Sequence, residues 1–140
     1  MSILALDVGE RRIGVAVSDP AESFALPVCV IERTALRDDL RAIVDVARER
    51  GATTIVVGDP IRMSGERGIA AEKIDRFCAA LARAYDGTIV RVDERLTTAQ
   101  ATRALIDADV SRAKRRRTVD RLAAALILDT FLARQRSGNA

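Results

Sequence analysis

The first eighteen residues constrain the fold more than any other part of this sequence. Residues 3–8 form an almost wholly apolar run that is interrupted by one acid, Asp7, and such a run predicts a central, buried strand. Gly9 and Glu10 follow as a turn. Residues 12–18 then alternate between branched and small side chains, which predicts a second strand. We therefore expect the chain to open with a hairpin that carries a carboxylate in its first strand.

The rest of the chain alternates strands with helices. Short apolar or β-branched runs predict three further strands, at residues 26–31, 53–57 and 88–92. Apolar residues at helical spacing predict four helices, at residues 36–50, 69–85, 97–108 and 118–133, the last two capped by Thr97 and Thr118. This order implies an α/β fold with a mixed five-stranded sheet, in which a three-strand antiparallel meander is joined by two parallel strands and flanked by helices.

The length of 140 residues predicts one domain, over residues 1–134, with a polar and frayed tail at residues 135–140. The sequence shows neither a signal peptide nor a run long enough to span a membrane, so we expect a cytoplasmic protein without a membrane partner. The two cysteines, Cys29 and Cys78, are far apart and are expected to be buried, reduced thiols.

The sequence contains no histidine, which narrows the chemistry available to it. Serine or cysteine nucleophiles that depend on a histidine base are excluded, as are zinc sites with histidine ligands. A hydrolase with this composition would depend on carboxylates and a hard metal ion. All of the 23 basic residues except Lys73 and Lys114 are arginines. This bias suits a nucleic-acid partner, and a GC-rich genome would produce the same bias without any functional meaning.

Asp7 is the first candidate metal ligand. Strand alternation places it on one face with Ile3 and Ala5, and pairing with the second strand would add small residues such as Gly14 and Ala16 to that face. Small neighbours leave room for a metal ion and for a phosphate. A strand-end aspartate that accepts backbone N–H groups from the following turn is the simpler structural explanation.

Glu94 and Asp120 are the other two candidates. Glu94 follows the fifth predicted strand, at an edge where α/β proteins bind ligands, although an ion pair with Arg95 would also explain it. Asp120 lies near the start of the last predicted helix, where the helix dipole alone would favour an acid. Asp129 should face the opposite side of that helix. Three converging acids would need divalent cations, and we expect a pair of Mg²⁺ or Mn²⁺ ions for phosphodiester hydrolysis.

Basic residues concentrate before the last predicted helix. A loop there would hold five of them within six positions, enough to bind a phosphate backbone, although charge runs are commonly solvated loops. Other arginines are close to the candidate acids or in the loop at residues 58–68. The predicted nucleic-acid contacts are Arg11, Arg12, Arg62, Arg95, Arg112, Lys114, Arg115, Arg116 and Arg117.

Three blocks of the sequence resemble the bacterial YqgF/RuvX family, in family order and spacing. They read LDVGERRIGVAVSD at residues 6–19, VDERLTT at residues 92–98 and VDRLAAALIL at residues 119–128. The resemblance implies a ribonuclease H-like fold related to the RuvC resolvases, and it places the family's acidic positions on Asp7, Glu94 and Asp120. It implies a nuclease that matures the 5′ end of pre-16S rRNA. Holliday-junction resolution, which would require a homodimer, is the alternative.

One block of the sequence departs from the family pattern. Where the family reads like GLPLNMDG, this chain has GDPIRMSG at residues 58–65, with Asp59, Arg62 and Ser64 as the changes. Arg62 would gain a phosphate contact, and Asp59 would be an extra acid near the metals or a solvent-exposed one.

Two functions other than a nuclease are the alternatives. One is a non-catalytic RNA-binding factor in ribosome assembly, and the other is a sugar-kinase-like phosphotransferase, which would need a second domain.

Overall fold

The computed structural model describes residues 2–59, 68–93 and 112–137, with only the backbone described for residue 70 and residues 112–120. The described part contains five strands and three helices. The strands are β1 (Ser2–Val8), β2 (Arg12–Ser18), β3 (Ala25–Glu32), β4 (Ala52–Asp59) and β5 (Thr88–Asp93). The helices are α1 (Leu36–Arg50), α2 (Ile69–Ala84) and α3 (Arg112–Arg136).

The strands form one mixed sheet in the order β3-β2-β1-β4-β5, which confirms the predicted fold class. β2 is antiparallel to both β1 and β3, whereas β1, β4 and β5 are parallel to one another. The carboxyl ends of the three parallel strands therefore meet at one edge, called here the carboxyl edge, which is marked by Val8, Asp59 and Asp93. Ligands of α/β proteins commonly bind at such an edge.

β1 is central because its alternating side chains bury apolar surface on both faces of the sheet. Leu4 and Leu6 pack with residues of α1 and α2 such as Ile43 and Leu81, on what we call the α1/α2 face. The opposite side, the α3 face, is covered by α3, which contacts β1, β2 and β3. Ile3 and Ala5 are buried there against the last helix. The residues of α3 in this core are Ala124, Ala125, Ile127, Leu128, Phe131 and Leu132.

Local backbone chemistry fixes two of the connections. α1 ends at Gly51, whose φ of 67° is a left-handed conformation that favours glycine, and its N–H bonds back to the carbonyls of the last helical turn. The β2–β3 connection is organised by Asp19, whose carboxylate accepts the N–H groups of Ala21, Ser23 and Phe24 at 3.2, 2.7 and 2.8 Å. These hydrogen bonds stabilise the charged form and lower the pKa of Asp19.

Several predicted boundaries differ from the structure. The last helix continues to Arg136, so residues 135 and 136 of the predicted frayed tail are helical. Two further differences lie close to the candidate site. The last helix begins at Arg112 rather than at Thr118, so the basic residues 112–117 are helical and do not form a loop. Arginine, lysine and alanine favour helix strongly, and this preference outweighs the capping tendency of a threonine. β4 continues through Asp59, two residues beyond the predicted strand end. The predicted helix at residues 97–108 lies outside the described residues. No helix in the described part of the chain is long and apolar enough to cross a membrane.

Candidate active site at the carboxyl edge

Asp7 lies where the sequence predicted it, on a face of small side chains. It is only 8% exposed, and its Cα partner on β2 is Gly14. Residues directly opposite in a strand pair share a face, so Asp7 shares the α3 face with Gly14 and, one pair further along, with Ala16. Ser18 completes the row of small residues, and its hydroxyl accepts the N–H of Ile3 at 2.8 Å. The nearly buried carboxylate of Asp7 therefore lies at the carboxyl edge next to Gly14, which has no side chain.

α3 approaches this face through small residues as well. Ala123 and Ala124 are 1% and 0% exposed, which is consistent with a close approach of the helix to the sheet. Position 120 precedes Ala124 by one turn in the same helical row, so its backbone lies on the row that packs against the sheet. The side chain of Asp120 is not among the described ones. Asp129 is exposed, as the helical geometry predicted.

Glu94 itself lies outside the described residues, but the strand that leads to it is well defined. Val92 and Val90 of β5 belong to the α3 face, where Val92 is 2% exposed. Side chains alternate between the two faces along a strand, so Arg91 and Asp93 belong to the α1/α2 face. Among the described side chains, no three Cys, Asp or Glu groups form a cluster that could hold a metal ion.

The turn after Asp7 is tightly constrained. Gly9 donates its N–H to the carbonyl of Arg12 at 2.8 Å, and a Cβ at position 9 would lie 2.9 Å from that same oxygen. From the other side, Arg33 donates through Nη1 to the carbonyl of Gly9 at 2.8 Å, and its backbone N–H bonds to the carbonyl of Arg11. The backbone that follows Asp7 is thus held by several hydrogen bonds between Gly9 and Arg12.

Arg33 is itself held by a buried acid that the sequence reasoning missed. Its Nε lies 3.2 Å from Oδ2 of Asp39, and Oδ1 of Asp39 accepts the N–H of Thr34 at 2.9 Å. The guanidinium also lies 5.7 Å from the ring centroid of Phe77, within the range of a cation–π contact. A sequence signal existed: Asp39 precedes Ile43 by four residues, which places an acid on the apolar face of an amphipathic helix.

Asp59 is not solvent-exposed, so that interpretation of it is wrong, and it lies on the face of the sheet opposite to Asp7. It is 6% exposed and belongs to the α1/α2 face, because it shares its strand parity with Val57. Arg91 bridges it to α2, with Nη2 at 3.2 Å from Asp59 and Nη1 at 2.6 Å from Asp75. Burial acts to lower the pKa of Arg91, but the hydrogen bond from Arg91 to Asp75 and the charge of Asp59 outweigh it and raise that pKa.

Of the predicted nucleic-acid contacts, only Arg11 and Arg12 have described side chains. Arg11 is exposed in the turn after β1. Arg12 is less exposed, and its Nε pairs with Glu32 at 3.1 Å. Arg62 and Arg95 lie outside the described residues, and for the basic residues 112–117 only the helical backbone is described.

The sheet order and the placement of the helices define a ribonuclease H-like fold of the kind found in resolvases. RuvC of Thermus thermophilus, in a structure with a Holliday junction substrate, matches with a TM-score of 0.65 over 100% of this chain and 98% of that chain at 15% identity. The fowlpox virus Holliday junction resolvase matches with a TM-score of 0.52 over 95% and 99% of the two chains at 12% identity. At these identities the likeness shows the fold alone.

The family follows from sequence similarity. The model of the family described as "RuvX: Holliday junction resolvase" matches residues 1–134, so the chain belongs to the RuvX family. A relative from Clostridium perfringens is 44% identical over 134 residues, 96% of this chain and 98% of its own length. One from Clostridium tetani is 45% identical over 132 residues, 94% and 96% of the two chains. Both are described as "Putative pre-16S rRNA nuclease". The resemblance to the YqgF/RuvX family is thereby confirmed.

Proposed function

We propose that this protein is a divalent-metal-dependent nuclease of the cytoplasm that hydrolyses phosphodiester bonds while the 5′ end of pre-16S rRNA matures. One observation carries the proposal: Asp7 is a nearly buried carboxylate at the carboxyl edge, opposite Gly14. Carboxylate oxygens are ligands that hard divalent cations prefer, and a neighbour without a side chain leaves space for a phosphate to approach. The descriptions of the relatives support the choice of an rRNA substrate.

The proposed metal ligands are Asp7, Glu94 and Asp120. Carboxylate oxygens are the ligands that Mg²⁺ and Mn²⁺ prefer, and the sequence has no histidine to compete with them. Position 120 lies on the row of α3 that packs against the Asp7 face. Val90 and Val92 of β5 belong to that face, and Glu94 follows them in the sequence at the same spacing of two residues, which is the reason for proposing it. Bound to such a group, a pair of ions would activate a water and stabilise the leaving oxygen.

The other residues of the site would bind and orient the substrate. Arg11 is an exposed cation in the turn directly after β1, close in sequence to Asp7, and it is suited to contact a phosphate. The basic first half of α3 precedes position 120 along the same helix and would supply further phosphate contacts. The turn held by Arg33 and Gly9 would keep the backbone next to Asp7 fixed while the substrate binds.

The decisive experiment is a cleavage assay in Mg²⁺ or Mn²⁺ with a pre-16S rRNA 5′ precursor. Asp7→Asn, Glu94→Gln and Asp120→Asn should each abolish cleavage and weaken Mn²⁺ binding in calorimetry. Asp129→Asn is the matched control, because it removes an exposed acid from the same helix. It should leave both cleavage and Mn²⁺ affinity unchanged. Full activity in any of the three variants would remove that residue from the site. Precursor binding without cleavage by the unmodified protein would favour a non-catalytic assembly factor.

Holliday-junction resolution is the second candidate, favoured by the family's description and by the fold shared with RuvC. A resolvase makes paired nicks in symmetric arms and therefore has to act as a two-fold dimer. A four-way DNA junction offered beside the rRNA precursor separates the two functions. Paired nicks by a dimer, measured together with sedimentation, would support resolution. Cleavage of the precursor by a monomer would exclude it.

A further inference from the structure

A groove opens at the carboxyl edge on the α1/α2 face, on the other side of the sheet from the α3 face. It has a volume of about 790 Å³ and lies between the turn after β1, the start of α1 and the first turns of α2. Its size falls within the range of established ligand sites. The Asp59–Arg91–Asp75 bridge and the α3 core do not contribute to its lining, so its residues need an explanation of their own.

The rim of the groove exposes apolar surface. Leu36 at the start of α1 is 42% exposed, and Ile69 at the start of α2 is 69% exposed, which places both among the four large apolar side chains exposed in the described part of the chain. Ile74 and Phe77 lie behind them and are 5% and 3% exposed. Large apolar side chains at a groove rim suit a ligand with flat apolar faces, such as an unstacked nucleobase.

Among the described residues that line the groove, three are cations and one is an acid: Arg33, Lys73 and Arg76 against Glu10. Lys73 pairs with Glu10 at 3.3 Å, but their side chains are 57% and 84% exposed, so the pair is weak and Lys73 can bind another anion. Arg76 is exposed on α2 one turn further along. The lining therefore combines a positive charge with apolar surface.

The groove is continuous with the backbone that carries the proposed metal ligand. Val8 and Gly9 line it, and both follow Asp7 directly in the chain. Asp7 belongs to one face of the sheet and the groove to the other, so only the end of β1 separates them. The Gly9 turn, which follows Asp7 in the chain, thus forms part of the groove wall.

We propose that this groove binds a single-stranded stretch of the substrate next to the bond that is cut, an inference that rests on the proposed nuclease function. Lys73 and Arg76 bind its phosphates, and Leu36 and Ile69 contact its bases. A duplex hides its base faces, whereas a single strand presents them to side chains, so apolar rim residues beside cations match a single strand. The groove thus selects substrates with an unpaired flank at the cleavage site.

The test measures binding without cleavage, in an Asp7→Asn background with EDTA. The probes are two labelled RNA hairpins, identical except that one carries a single-stranded flank of about eight nucleotides, within the range that one single-strand binding surface covers. Lys73→Ala combined with Arg76→Ala should raise the Kd of the flanked hairpin about tenfold. It should also reduce the salt dependence by a slope of about 1.4, the value for two cations that each neutralise one phosphate of a single strand. The Kd of the blunt hairpin should not change.

Matched variants make the result specific. Arg83→Ala combined with Arg134→Ala removes two exposed cations outside the groove and should leave both Kd values unchanged. Glu10→Gln releases Lys73 from its ion pair and should tighten binding of the flanked hairpin only. Equal losses for both hairpins, equal losses in the control variant, or no loss at all would each overturn the proposal. Because binding is measured without catalysis, absence of nuclease activity would refute the proposed function without deciding this test.

Discussion

The Nε atom of Arg33 lies 3.2 Å from the carboxylate of Asp39, which is 2% exposed. This pair joins the segment after β3 to the first turn of α1, and the same guanidinium reaches the carbonyl of Gly9 beside the candidate acid Asp7. Asp39 is the buried member of the pair, and Arg33 is the member that bonds to the Gly9 turn. Loss of the pair would therefore affect both the stability of the fold and the position of that turn at the carboxyl edge.

Breaking this pair should be costly. Arg33→Ala leaves the carboxylate of Asp39 buried without its cation, so we expect the free energy of unfolding to fall by about 3 kcal/mol. Urea denaturation measures the change. The control is Glu32→Gln, which breaks the Arg12–Glu32 pair at a glutamate that is 57% exposed and should cost about 1 kcal/mol or less. Equal losses in the two variants would show that the Asp39 pair adds nothing beyond a surface ion pair.

Gly9→Ala should reduce cleavage more than stability. The new Cβ would lie 2.9 Å from the carbonyl of Arg12, so the turn beside Asp7 has to shift. We expect a loss of kcat of about tenfold or more, measured with the rRNA precursor, because misplaced catalytic groups are costly. Gly51→Ala is the comparison: its Cβ meets open space, but its φ of 67° strains an alanine. That variant should lose about 1 kcal/mol of stability with kcat preserved. Unchanged kcat in Gly9→Ala would mean that the turn does not position Asp7.

Asp19 gives a stability contribution with a defined pH dependence. Its carboxylate accepts the N–H groups of Phe24, Ser23 and Ala21, which hold its pKa below the ordinary value of 3.8. A depressed pKa means that the contribution is complete above pH 3.8 and is lost as the pH falls through the lower folded-state value. The difference in melting temperature between the unmodified protein and Asp19→Asn should therefore be largest near neutral pH and shrink below pH 3.8. A constant difference would contradict this origin.

The two cysteines should react slowly with thiol reagents. Burial raises the pKa of Cys29 and of Cys78 above the ordinary 9.0, so the thiolate is a small minority near neutral pH. In the folded protein, we expect both thiols to react with Ellman's reagent more slowly than free glutathione does. In denaturing urea, both should react as fast as glutathione. Fast reaction of either thiol in the folded protein would show that its site is open to solvent. Both are half-buried, which agrees only in part with the expected burial.

The basic first half of α3 should bind nucleic acid without regard to its sequence or to an unpaired flank. Arg115→Ala combined with Arg116→Ala should weaken binding of flanked and blunt hairpins alike. The salt slope should fall by about one for each arginine that neutralises a phosphate. Filter binding over a range of salt concentrations measures this. Unchanged affinity and slope would show that these arginines are only a solvated surface.

Most of the sheet could be predicted because its period-2 pattern is strong. The alternation in β1 and β2 was sufficient to place Asp7 opposite small residues, and helical spacing was sufficient to turn Asp129 away from the sheet. The start of α3 was missed because Thr118 is a good capping residue, and a local preference does not reveal that the preceding basic residues continue the helix.

The contacts that stiffen the carboxyl edge could not be predicted in the same way. Arg33 and Asp39 are six residues apart, and their pairing depends on how α1 turns back after β3. The pairing of Asp59 with Arg91 depends on two parallel strands that lie far apart in the sequence. Such tertiary partners leave no periodic signal, and an isolated aspartate in the sequence is equally compatible with a solvent-exposed position.

The packing of α3 on β1 has a consequence for synthesis on the ribosome. Asp7 is made more than a hundred residues before the helix that covers its face. Until that helix emerges, Ile3, Ala5 and Ala16 have no cover, and position 120 does not yet exist. An incomplete nascent chain therefore cannot assemble the proposed metal ligands. On this proposal, the order of translation delays assembly of the metal site until α3 has been made.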